Sequence, residues 1–268
     1  MPGGTGGFPG RSFQDGDFAQ NKLSTKLRKY TYTTFSAQGR FTAPNGYGDP
    51  TGTAGDSNLG LVPAQVGGGL ALEYFVMGTQ TLLAPSFSAS GLDISQDQTN
   101  NDGVQHVFGG LSARSKHAFT IGSEPAPFFA KLTFALSDVS GQDDCAFGFR
   151  KNAAFTANFD DYTDAAVLNM ISGDIKIETI LNNAATTTVD TTQDWADAAS
   201  HSFEIEIGID GTVRFFVDGA FPTVTKSNFV FDTGDVVLPT LFFLQDATSP
   251  GTCNLTLFEC GYRIPRGQ

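Results

Sequence analysis

The stretch HSFEIEIGIDGTVRFFVDG at residues 201–219 constrains this chain more than any other. Phe203, Ile205, Ile207 and Ile209 alternate with Glu204, Glu206 and Gly208, the period of a strand with one buried face. Asp210-Gly211 tolerates the positive φ of a tight hairpin turn, Thr212–Val217 returns, and Asp218-Gly219 turns again. The same grammar recurs upstream. Phe128, Ala130, Leu132, Phe134 and Leu136 share one face, with Lys131, Thr133 and Ser137 on the other. DVSGQDD at 138–144 turns the chain into a strand lined by Cys145, Phe147 and Phe149. Ala166–Ile171 and Ile175–Leu181 flank the hairpin signal Ser172-Gly173-Asp174. Further strands fit Phe229–Phe231, Val236–Phe243 and Asn254–Tyr262, and no stretch has a helical period. Short strands at this spacing imply an all-β, antiparallel jelly-roll β-sandwich over residues 71–268.

Residues 1–70 differ. They carry Arg11, Lys22, Lys26, Arg28, Lys29 and Arg40 against Asp15, Asp17, Asp49 and Asp56, a balance of +2 in a chain of net charge -12. The remainder therefore carries -14. GGTGGFPG, PNGYGDPTGTAGD and VGGGL are turn and linker chemistry, so this segment reads as an extended, Gly-rich N-terminal arm. The acidity argues against nucleic acid as a partner, because nothing neutralises phosphate in bulk. No apolar run approaches the roughly 18 residues of a membrane-spanning helix. The start MPGGTGGFPG lacks a basic region followed by an apolar one, so no signal peptide is expected. Cys145, Cys253 and Cys260 read as reduced, buried thiols; the last two, on one unbroken strand, would face opposite ways.

The 201–219 hairpin and Trp195 resemble the core of laminin-G-like and concanavalin A-like jelly-roll domains. The longer run from DVSGQDDCAFGFRKN through DYTDAAVLNMISGDIKIETILNN to TTTVDTTQDW is similar to virion structural proteins of tailed bacteriophages. This resemblance covers about residues 90–262 and leaves the arm outside. It implies a concanavalin A-like sandwich and a place in a virion assembled in the host cytoplasm.

Candidate chemistry is sparse. Some relatives of this fold are glycoside hydrolases, but Glu204-Ile-Glu206 lacks the third carboxylate of their Glu-x-Asp-x-x-Glu pattern. Alternation places both glutamates on a solvent face. Asp138, Asp143 and Asp144, and Asp160, Asp161 and Asp164, are loop clusters of the kind that can supply calcium with oxygens, though without EF-hand spacing. His106, His117 and His201 lack zinc spacing, and no nucleophile elbow or phosphate-binding glycine loop is present. No catalytic residue, metal or cofactor is therefore expected. Trp195, the sole tryptophan, is a candidate for sugar stacking, with a core cap as the simpler reading. Lys22, Lys26, Arg28 and Lys29, with Phe8, Phe13 and Phe18, suit an arm that docks on another protein.

These observations lead to a non-enzymatic virion protein, a capsid decoration or cement protein anchored by its arm. Its expected partners are the major capsid protein or other virion proteins, and further copies of itself in a symmetric oligomer such as a trimer. A tail or fibre component, or a lectin-like carbohydrate-binding module, is the alternative.

Overall fold

Strand periodicity is realised as two antiparallel sheets packed face to face. The computed structural model describes residues 29–35, 52–53, 57–62, 70–78, 81–82, 86–94, 101–112, 114–140, 142–224, 228–245 and 252–263. A seven-stranded sheet contains β1 (Thr31–Thr34), β6 (Ser86–Ser88), β7 (Gly91–Asp93), β10 (Phe128–Leu136), β15 (Ser200–Ile207), β16 (Val213–Val217) and β18 (Cys253–Tyr262). Its order is β16-β15-β10-β18-β7-β6, with β1 also on β18. The nine-stranded sheet contains β3 (Ser57–Val62), β4 (Leu70–Met77), β8 (Gly103–Phe108), β9 (Phe119–Thr120), β11 (Gln142–Lys151), β12 (Ala165–Ile171), β13 (Asp174–Ile180), β14 (Thr187–Asp194) and β17 (Val236–Gln245). Its order is β14-β13-β12-β11-β17-β8-β4-β3, with β9 on β17. A small ribbon pairs β2 (Gly52–Thr53) with β5 (Thr81–Leu82).

The inward faces follow from the alternation. Phe128, Ala130, Leu132, Phe134 and Leu136 of β10 meet Cys145, Phe147 and Phe149 of β11 in one apolar core. Phe119 stacks on Phe128 at 4.2 Å and Phe108 on Phe258 at 4.3 Å, offset contacts that orient the layers. The β12–β13 hairpin turns through Ser172 and Gly173, both at positive φ, where glycine removes the clash a side chain would meet. Edge strand β14 is bulged, with Thr192 at φ 61, which interrupts the row of backbone groups that another chain could pair with.

Several expectations change. The segment 229–231 contributes only one bridge, Val230 to Thr212, rather than a strand. Ile209 is exposed because Gly208–Gly211 already forms the turn. Cys253 and Cys260 share the core rather than opposite faces. Pairing of β18 with β10 steps from Leu257 opposite Thr133 to Leu255 opposite Phe134, so Thr256 is an inserted bulge residue that reverses the parity. None of the three cysteines forms a disulfide; all are buried, and desolvation raises the thiol of Cys260.

The sequence reading starts the sandwich at residue 71, yet sheet pairing reaches back to Thr31. β1 lies antiparallel on β18, and β3 on β4. Thr31, Thr33 and Phe35 are buried. Lys29 Nζ donates to the Ala118 carbonyl at 2.6 Å and pairs with Glu124 at 2.9 Å. The Thr31 hydroxyl accepts from Lys116 Nζ at 2.7 Å and lies 2.8 Å from His117 Nε2.

The nine-stranded sheet carries a further layer. The connection 152–164 between β11 and β12 folds back over its outer face. There Phe159 and Tyr162 pack with Ala146, Val167 and Phe242, and Phe155 stacks on Phe75 at 5.3 Å. Among the described residues no helix is long and apolar enough to cross a membrane.

Candidate functional site: the outer cleft of the nine-stranded sheet

A cleft of about 360 Å³ opens on this outer face, lined by Asp143, Asp144, Asn158, Phe159, Asp160, Ile171, Glu178, Phe242 and Leu244. Strand parity builds it. Asp144 on β11 projects away from the core that Cys145 enters, as do Asn169 on β12 and Glu178 on β13. The 152–164 connection supplies the opposite wall through Asn158, Phe159 and Asp160.

Asn169 organises the polar floor. It is fully buried, and its side-chain amide donates to Asp144 Oδ1 at 2.5 Å and to Glu178 Oε2 at 2.9 Å. Its oxygen accepts the Cys145 N–H at 2.9 Å, so the amide orientation is fixed. Glu178 also accepts from Thr188 Oγ1 at 3.0 Å, and Asp160 from Thr186 Oγ1 at 2.5 Å. Burial pushes the Asp144 carboxyl up to about 6; the Asn169 bond opposes that shift, while Glu178, Asp143 and Asp160 reinforce it. The result is a row of oriented acceptors beside the partly exposed apolar side chains of Ile171 and Leu244. Such a surface suits a polyhydroxylated ligand with one apolar face.

The structure separates the sequence candidates. Asp143, Asp144 and Asp160, read as members of two loop clusters, converge on this one cleft. Asp161 accepts from Asn158, and Asp138 caps its own turn at Ser140. Asp164 is buried, holding the Asn182 N–H at 2.9 Å and facing Lys151 at 3.4 Å. Among the described residues no group of three or more His, Cys, Asp or Glu side chains is arranged to hold a metal ion.

Trp195 is 2% exposed and packs against Phe134 and Phe203, with its indole N–H on the Ala199 carbonyl at 3.2 Å. It caps the core, so no indole face is open to a sugar. Glu204 and Glu206 do lie on the outward side of β15, but Glu204 is buried rather than solvent-facing. Arg263 lies 4.1 Å over the Phe129 ring and pairs with both glutamates, its Nε 3.1 Å from Glu206. His106 and His117 are fully buried and His201 pairs with Asp218 at 2.7 Å. Phe8, Phe13, Phe18, Lys22, Lys26 and Arg28 fall outside the described residues, whereas Lys29 is held by Glu124 on its own chain.

Sequence reading missed Asn169 and Glu178. Their signal was present: each is a polar side chain at an outward position of a strand otherwise rich in apolar residues.

No family model matches the chain, and no curated protein matches its sequence. Solved structures do. The carbohydrate recognition domain of Emp47p superposes with a TM-score of 0.51 at 11% identity, covering 87% of this chain and 96% of that one. The metal-free carbohydrate recognition domain of Emp46p gives 0.50 at 8% identity, covering 73% and 88%. The carbohydrate-binding module CBM66 from Bacillus subtilis gives 0.40 at 10% identity, covering 69% and 94%. At such identities the likeness is one of fold, and the fold is the antiparallel jelly-roll sandwich of lectin-like domains.

Proposed function

We propose that this chain is a non-catalytic carbohydrate-binding module whose glycan lies in the outer cleft of the nine-stranded sheet. The observation that carries this reading is the Asp144–Asn169–Glu178 row. It offers fixed acceptors for sugar hydroxyls beside the partly exposed Ile171 and Leu244. The domains with TM-scores of 0.51 and 0.50 are carbohydrate recognition domains, which supports it. Capsid decoration rests on the sequence resemblance alone, and these structural likenesses favour the carbohydrate alternative instead.

A glycan array on the purified chain, followed by calorimetry with the strongest hit, tests the proposal. Glu178→Ala and Asp160→Ala should each weaken binding roughly tenfold or more, the loss of about 1.4 kcal/mol of charged hydrogen bonding. Trp195 variants that still fold should bind unchanged. Absence of any hit, or binding indifferent to both cleft substitutions, would remove the reading.

One observation favours a second reading. Asp144 and Glu178 share one amide nitrogen, and burial raises the Asp144 carboxyl to about 6. Retaining glycoside hydrolysis uses two carboxyls about 5 Å apart with one acting as the acid. Release of reducing ends from the bound oligosaccharide, lost in Glu178→Gln, would make the cleft an active site.

A further inference from the structure

Arg150 is fully buried, yet among the described residues it has no carboxylate partner. It leaves β11 on the outer face of the nine-stranded sheet, opposite Leu238 of β17. Its Nη1 donates to the carbonyls of Lys151 at 3.1 Å and Ala153 at 2.9 Å. Its guanidinium lies 4.4 Å from the ring centre of Tyr162 and 5.3 Å from that of Phe155. Among the described residues Nε and Nη2 have no hydrogen-bond partner. These two N–H groups project in parallel from one edge of the guanidinium, and that edge is the one that grips a carboxylate with two bonds at once.

A buried, unpaired charge is among the costliest features a fold can carry, and two ring contacts offset only part of that cost. Glu73 is close enough for its charge to be felt at Arg150, but its Oε2 is held by the Leu111 N–H at 2.5 Å. The cover over the site is thin. Ala154, Ala157 and Asn158 are exposed, and the segment is held by the bond from Gln105 to the Thr156 carbonyl and by the Phe155–Phe75 stack.

We propose that the Nε/Nη2 edge of Arg150 is a binding site for a single carboxylate group, admitted when segment 152–158 lifts. A carboxylate matches the two parallel donors and cancels the one positive charge. A phosphate dianion would leave excess charge among Phe155, Tyr162 and Leu238. The site shares only the 152–164 wall with the glycan cleft and stands whether or not that cleft binds sugar.

The test uses the whole chain. Sodium formate, acetate and glucuronate are titrated against sodium chloride at matched ionic strength. The Arg150 Nε–H resonance and the thermal midpoint are followed together. Formate or acetate should move the resonance and raise the midpoint saturably, and chloride should do neither. Arg150→Lys keeps the charge but lacks the fork, so it should weaken the response at least tenfold. Glucuronate reproducing the shift would identify sugar acids as the source, and a response to formate and acetate alone would identify small free carboxylates. A resonance and midpoint that track ionic strength only would overturn the proposal and leave water as the occupant. A resonance that moves in Glu73→Gln but with no added carboxylate would overturn it too, since Glu73 would then be the partner. Should Arg150→Lys fail to fold, the wild-type resonance decides.

Discussion

Asp144 brings charge regulation into the cleft. Its folded carboxyl titrates near 6, against about 4 in an unfolded chain, so the fold favours the neutral form. Stability linked to this group is therefore fully present below pH 4 and is lost as pH rises through about 6. Glycan binding should change over the same window, because the ionised group accepts hydroxyl hydrogens and the neutral one can donate. We expect a step in affinity near pH 6 by calorimetry, and Asp144→Asn should abolish that step while raising the thermal midpoint at pH 7. Arg263 makes a complementary case on the other sheet. It covers Phe129 and pairs with Glu204 and Glu206, and burial holds its own guanidinium below the usual range. Arg263→Ala strands a buried carboxylate and should cost about 1–3 kcal/mol in urea titrations. Glu204→Gln keeps an acceptor for Arg263 and should cost about 1 kcal/mol or less. Period-two alternation assigned Glu204 to its face correctly. Its burial was not legible, because the covering side chain comes 59 residues later and no local pattern encodes that contact.

At the scale of elements, hairpins with strong turn chemistry were legible and short or bulged strands were not. Ser172-Gly173 and Asp218-Gly219 announce their turns because both positions of each pair adopt positive φ. The bulge at Thr256 carries no such residue, so parity counted along an unbroken β18 sent Cys253 and Cys260 to opposite faces. β1 is short and sits in a segment dominated by turn residues, although Thr31, Thr33 and Phe35 do alternate inward. Its dock contains one of two buried histidines with an acid liability. Burial pulls both His106 and His117 down to about 3; Lys116 and Lys29 beside His117 add to its shift. An unfolded histidine takes its proton near pH 6.5, so stability is complete above that value and declines as pH falls towards 3. Each histidine can contribute a slope of up to about 1.4 kcal/mol per pH unit. Among the described residues neither ring nitrogen of His106 has a hydrogen-bond partner, so His106→Leu sacrifices no described bond. That variant should be at least as stable at pH 7.5 and visibly less acid-sensitive between pH 6 and 4, by thermal midpoint against pH. An unchanged slope would show that His106 already takes up its proton in the folded chain.

Over the whole molecule, the two outer faces differ in kind. The seven-stranded sheet presents paired charges such as Glu206 with Arg214 and Arg263. The nine-stranded sheet is roofed by 152–164, and there strand-borne acceptors meet a concave wall. Alternation revealed both sheets, but a cleft needs the tertiary path of a connection whose sequence reads as an ordinary acidic turn. Sheet pairing also reaches back to β1, inside the segment read as an arm. Removing residues 1–28 leaves every described strand in place and serves as the reference deletion. Removing residues 1–35 strips Phe35 from the core, uncovers one side of β18 at Cys260 to Leu257, and leaves Glu124 without Lys29. Loss of the phenylalanine alone is worth about 3–5 kcal/mol, so the midpoint should fall by roughly 6–12 °C or more in a domain of this size. Hydrogen exchange gives the finer reading: protection along β18 between Leu257 and Cys260 should drop in the longer deletion, while β11 and β12 keep theirs. Equal midpoints for the two deletions would mean that β1 does not stabilise the sandwich and that the folded unit begins beyond it.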